Sequence, residues 1–123
     1  MKKILISAIL LAGIAAGCMP QTETFSEIYG KNLNKVTEIH LTNGNGETKT
    51  IKEKSKVKEF LANLKNVKFI PDENQDKGAG YTYSIKLFEG KTETLFFSTN
   101  RIKDYNYHSN PEVSSIADEA WAK

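Results

Sequence analysis

A single cysteine, Cys18, rules out an internal disulfide, so this chain of 123 residues must be held together by a packed core. The hundred or so residues after it are enough for one domain with one core and no covalent staple. Hydrophobic spacing shows how that core is built. Val57, Phe60, Leu61 and Leu64 fall at i, i+3, i+4 and i+7 behind a capping Ser55, which predicts a helix with one buried stripe. Tyr81, Tyr83, Ile85 and Leu87 alternate with Thr82, Ser84 and Lys86, which predicts a strand with one buried face. Val36 to Leu41, the turn Asn43-Gly44-Asn45-Gly46 and Glu47 to Ile51 form a β-hairpin. Val67 and Phe69 alternate with Lys68 in a further strand that runs to Pro71.

After the turn Glu89-Gly90-Lys91, Leu95 and Phe97 share a face and meet Ile85 and Tyr83 only if the register sum is even, which leaves Phe88 and Phe96 on the wetter side. Arg101 to His108 adds one more strand. Asn110-Pro111 opens a second helix with Val113, Ile116, Ala117, Ala120 and Trp121 inward. Phe25, Ile28 and Tyr29, ended by Gly30, make a short helical turn. The expected fold is α+β in the order β-β-α-β-β-β-β-α. It is an antiparallel sheet of about five to six strands with the two main helices on one face.

Upstream of Cys18, Lys2 and Lys3 precede an apolar run from Ile4 to Ile14 and the small residues Ala15-Ala16-Gly17, the three parts of a secretory signal. The run is shorter than the roughly 20 residues a membrane span needs. Ile14-Ala15-Ala16-Gly17-Cys18 resembles the lipobox of bacterial lipoproteins, with Ala15 where that family more often has Leu. The resemblance implies removal of residues 1–17 and a diacylglyceryl group on the Cys18 thiol. Two acyl chains suffice for stable anchoring, at about 0.8 kcal/mol per buried methylene. A plain secretory peptide would instead leave Cys18 as a free thiol. Residues 18–24 then form a tether and 25–123 a single domain. The six residues after Cys18 reach only about 20 Å, which keeps the domain near the bilayer.

With Lys2 and Lys3 removed, fifteen basic residues face fifteen acidic ones, so there is no clustered positive footprint for nucleic acid. Lys49, Lys52, Lys54, Lys56, Lys58, Lys65 and Lys68 nonetheless outnumber Glu47, Glu53 and Glu59. They form either the solvated face of a helix or a contact for anionic lipid or a wall polyanion.

The loop Asp72-Glu73-Asn74-Gln75-Asp76-Lys77-Gly78 places Asp72, Asn74 and Asp76 at the spacing of the first three oxygen ligands of a calcium loop. The turn glycine comes one place late, and Tyr83 stands where the closing glutamate belongs, so calcium is the secondary expectation and a solvated acidic loop the primary one. His40 and His108 have no spacing that makes them a metal pair or bases for Ser84, Ser98 or Asp104. No GxSxG, HExxH or phosphate-binding glycine loop is present, and no catalytic residue or cofactor is assigned. Tyr81, Tyr83, Tyr105 and Tyr107 crowd two strands. With Phe88 and Phe96, the residues Tyr81, Tyr105 and Tyr107 are the candidates for a binding surface on an uncovered sheet face.

This order of elements, with Ile39-His40-Leu41, the Gly80 to Ile85 strand and the Tyr107 to Trp121 segment, resembles small uncharacterised lipoproteins of Gram-positive bacteria. The resemblance implies a lipid-anchored α+β domain outside the cytoplasmic membrane and carries no chemistry. The functional expectation is a non-catalytic envelope module that binds another envelope protein or wall component. The alternatives are a calcium or small-ligand lipoprotein and, behind it, an envelope hydrolase. Replacing Cys18→Ala is expected to abolish labelling of the protein by a fatty-acid probe in growing cells; undiminished labelling would overturn the lipobox reading.

Overall fold

The computed structural model describes residues 20–75 and 80–123. Cys18 and the segment before it lie outside the described residues, as does Asp76. The fold is α+β, as the hydrophobic spacing requires. In chain order come β1 (Glu23–Thr24), α1 (Phe25–Tyr29), a 3-10 turn (Leu33–Lys35), β2 (Glu38–Asn43), β3 (Thr48–Ile51), α2 (Lys54–Leu64) and β4 (Lys68–Pro71). β5 (Tyr83–Glu89), β6 (Thr92–Ser98), β7 (Arg101–Ile102), β8 (Tyr105–Asn110) and α3 (Val113–Ala122) complete it.

The strands form two antiparallel four-stranded sheets, β3-β2-β5-β6 and β1-β4-β8-β7, where a single sheet was expected. The reason lies between β6 and β8. The Ser98 hydroxyl accepts the Arg101 N–H at 3.1 Å, which turns the chain at the end of β6. Lys103, at a left-handed φ of 52°, then reverses it again, so the expected strand from Arg101 to His108 is a hairpin of β7 and β8. β8 pairs with β4 and not with β6. Thr99 N–H to Tyr83 O and Tyr107 N–H to Asn100 O, both 3.0 Å, pin the corner.

In β6, Phe97 faces Ile85 and Leu95 faces Leu87, so the register sum is even but the partners lie two residues along from those expected. A bulge between Leu87 and Phe88 follows, and the Thr94 hydroxyl there donates to Leu87 O at 3.2 Å and bonds the Tyr29 hydroxyl at 2.6 Å. The bulge thereby ties α1 to the first sheet.

Both sheets contribute to one buried cluster. Phe25 from α1 lies 5.7 Å from Phe69 of β4 and 5.3 Å from Phe97 of β6, and Phe69 lies 4.6 Å from Tyr107 of β8, ring centre to ring centre. Val57, Phe60, Leu61 and Leu64 of α2 and Val113 and Ile116 of α3 join the same core.

Two helix starts differ from expectation, those of α2 and α3, while α1 begins at Phe25 as expected. Ser55 does not cap α2; Glu53 takes that place, and the Ser55 hydroxyl donates to its carboxylate at 3.0 Å. α3 begins at Val113, not at Pro111, because Asn110 still pairs in β8 and the Ser109 hydroxyl accepts the Val113 N–H at 2.9 Å. α1 has a capping box: the Thr24 hydroxyl accepts the Glu27 N–H, and the Glu27 carboxylate accepts the Thr24 N–H at 2.9 Å. Glu23 and Thr24 also pair with Phe69 and Lys68, so the last two residues of the expected tether belong to the fold.

Burial is the main cause that pushes the hydroxyls of Tyr29, Tyr83, Tyr105 and Tyr107 above their ordinary value of 10. The folded state therefore holds these protons where the unfolded chain releases them. Their contribution to stability is present below pH 10 and lost as pH rises beyond it. Thermal melts across that range are expected to fall steeply for the native chain and less steeply for Tyr107→Phe. Equal slopes would refute this account.

Candidate functional site

The inner face of the first sheet, with Ile39, Leu41, Ile85, Leu87 and Phe97, is buried, whereas its outer face stays open. Cross-strand pairing sets Thr50, His40, Lys86 and Phe96 in one row on that open face, and Glu38, Phe88 and Glu93 in another. Alternation alone decides this split, as read from sequence. The His40 ring lies 4.4 Å from Phe88, centre to centre, and its Nε2 pairs with the Glu38 carboxylate at 2.5 Å. Phe88 is half-buried by this stacking. Lys86 reaches over Phe96 at 5.8 Å from the ring centre and lies 3.8 Å from Glu93.

Tyr81 and Phe96, 51% and 54% exposed, are the two large apolar side chains left open to solvent among the described residues. Both line one groove of about 560 Å³, with Gln75, Ser84, Ser98, Asn100, Arg101, Lys103 and Asn106. The groove lies where the sheets meet, so residues far apart in sequence furnish it. Among the described residues its lining holds two cations and no carboxylate.

Arg101 is held in place from below. Its Nη1 donates to Asn106 Oδ1 at 2.9 Å and its Nη2 to the Asp104 carbonyl at 3.0 Å. Asn106 is itself buried and fixed by Gln75, whose Oε1 accepts the Asn106 N–H at 2.7 Å and whose carbonyl accepts its side-chain amide at 3.2 Å. Ser98, also buried, donates to Asn100 Oδ1 at 2.8 Å. A satisfied network of this kind sets a guanidinium before any ligand arrives, which lowers the entropic cost of binding. Lys103 sits on the left-handed residue of the β7–β8 turn, a conformation that is uncommon outside glycine and tends to mark functional positions.

Other expected positions fall elsewhere. Tyr105 and Tyr107, expected on a binding surface, are buried on the core side of β8, because their strand lies in the second sheet and packs on the same core as the first. The Tyr107 hydroxyl donates to the Ser98 carbonyl at 2.6 Å; the Tyr105 hydroxyl is buried with no hydrogen-bond partner among the described residues. Tyr83 donates to the Asp118 carboxylate at 2.8 Å and packs on Trp121. Asp72, the first ligand of the expected calcium loop, meets His108 Nδ1 at 2.8 Å, and no group of three acidic, histidine or cysteine side chains gathers among the described residues. His40 and His108 lie on different sheets.

Arg101, Asn106 and Gln75 did not stand out in the sequence. The contact of Gln75 with Asn106 joins segments about thirty residues apart, and that of Arg101 with Asn106 crosses the β7–β8 turn, so no local period encodes either. No helix among the described residues is long and apolar enough to cross a membrane. Comparison with protein-family models, curated proteins and solved structures finds no match to this chain.

Neighbouring phenylalanines give opposite expectations. Phe96→Ser is expected to change unfolding free energy by no more than about 0.5 kcal/mol, as at an ordinary surface position. Phe97→Ala is expected to cost about 3–5 kcal/mol through a cavity in the core. Denaturant titration measures both, and a large loss for Phe96→Ser would mean that its ring supports the fold.

Proposed function

We propose that this protein is a non-catalytic module, held on the outer side of a membrane by a lipid on Cys18, that binds an envelope component in the groove between Tyr81 and Phe96. The observation that carries this reading is that both exposed apolar side chains line one groove beside a pre-set Arg101. Aromatic faces stack on sugar rings or apolar side chains, and an arginine fork with neighbouring amides binds hydroxyl and acid groups. The absence of carboxylates from the described lining favours an anionic partner, such as a wall polyanion or an acidic protein surface. Binding in this reading needs no bond chemistry, and His40 and His108 serve the sheets through Glu38 and Asp72.

The test is in-cell cross-linking from a photoreactive residue at position 81, with mass spectrometry of what is captured. One dominant partner is expected, lost in Phe96→Ser and Arg101→Gln variants that fold normally. Capture that these variants leave unchanged would remove the groove from the binding site.

A further inference from the structure

A second groove has a different chemistry. Leu33, Val36, Val57, Leu61 and Ala62 line a trough of about 540 Å³ between the 3-10 turn and α2, and Lys52, Lys54, Lys58 and Lys65 border it. Among the described residues no carboxylate lines it, and none of the four lysines takes part in an ion pair. The neighbouring groove, between β3 and the two long helices, shows the usual balance: Lys49, Lys52, Lys56 and Lys123 there face Glu38, Glu53, Glu59 and Glu119. The basic surplus read from the sequence is thus concentrated on one side of α2.

That side is also where the chain emerges. The Phe25 N–H donates to Val67 O at 3.0 Å and the Ser26 N–H to Lys65 O at 3.1 Å, so the start of the fold lies against the end of α2. A short tether from Cys18 therefore ends beside Lys65. The arrangement also runs against the needs of the helix. Lys54, Lys56 and Lys58 crowd the first turns of α2, the positive pole of its dipole, where acidic residues would be stabilising.

We propose that this trough is the face that rests on the membrane. Lys52, Lys54, Lys58 and Lys65 engage anionic lipid headgroups, and the Leu33 to Leu61 floor meets the acyl boundary. A basic rim around an apolar floor matches the two layers of an anionic bilayer surface. The inference rests on the anchoring reading for the position of the tether, but its charge chemistry can be tested apart from it.

The experiment is lysine footprinting by acetylation of the full chain on vesicles of phosphatidylcholine alone or of phosphatidylcholine with phosphatidylglycerol. Lys54, Lys58 and Lys65 are expected to react several-fold more slowly on the anionic vesicles, with the protection reversed by high salt, while Lys86 and Lys91 react equally on both. A Lys54→Gln/Lys58→Gln variant is expected to lose the protection of Lys65. Failure to float with neutral vesicles would count against the lipid anchor and leave the trough standing, provided that anionic protection remains. Equal reactivity on both vesicles, or protection that a soluble polyanion supplies as well as the anionic bilayer, would overturn the proposal.

Discussion

The contact between Phe25, Phe69, Phe97 and Tyr107 is what makes two sheets into one domain. Each of the four comes from a different element, and each buries an apolar ring where neither sheet alone could cover it. Burial of such rings contributes more than any polar contact on the surface, and the cluster sits directly beneath the corner that the Ser98, Thr99 and Asn100 hydrogen bonds turn between β6 and β7. The groove lined by Tyr81, Phe96 and Arg101 is the outer side of that same junction. A change in the packing of the rings would therefore move the aromatic and the cationic halves of the groove relative to each other.

The two grooves differ in what prepares them. On the open sheet face the preparation is by hydrogen bonds: buried Asn106 and Ser98 hold Arg101 at a set position, which suits selection of a particular partner. Along α2 it is by charge surplus over an apolar floor, with the lysine heads outside any ion pair among the described residues, which suits a broad surface with little geometric demand. On the two proposals together, one side of the fold would hold its orientation and another would recognise a partner.

Much of the architecture was legible wherever one local period governs burial. The stripe of α2 and the alternation of β5 from Tyr83 to Leu87 match the structure, because each presents a single face to a single core, whereas Tyr81, expected on that buried face, precedes β5 and is exposed. The β7–β8 turn was not, since Lys103 has none of the residue types that mark left-handed backbone. That omission concealed the second sheet, and with it the burial of Tyr105 and Tyr107. The capping box at Thr24 and Glu27 was readable as Thr-x-x-Glu and marks the true start of the fold. Within the site, Phe96 could be found by alternation; the exposure of Tyr81 runs against it, and Arg101 with its support from Asn106 and Gln75 depends on a tertiary meeting that no periodicity reports.

The manner in which the chain enters the fold also has a mechanical meaning. Any pull between a surface-bound partner and an N-terminal anchor would pass through Glu23 and Thr24, a two-residue strand at the edge of the second sheet. Few backbone bonds hold that strand, so resistance to force passes to the capped turn behind it and to the wholly buried ring of Phe25. Phe25 acts as a bolt: until its ring is drawn out of the aromatic cluster, tension can peel the edge strand without reaching either groove.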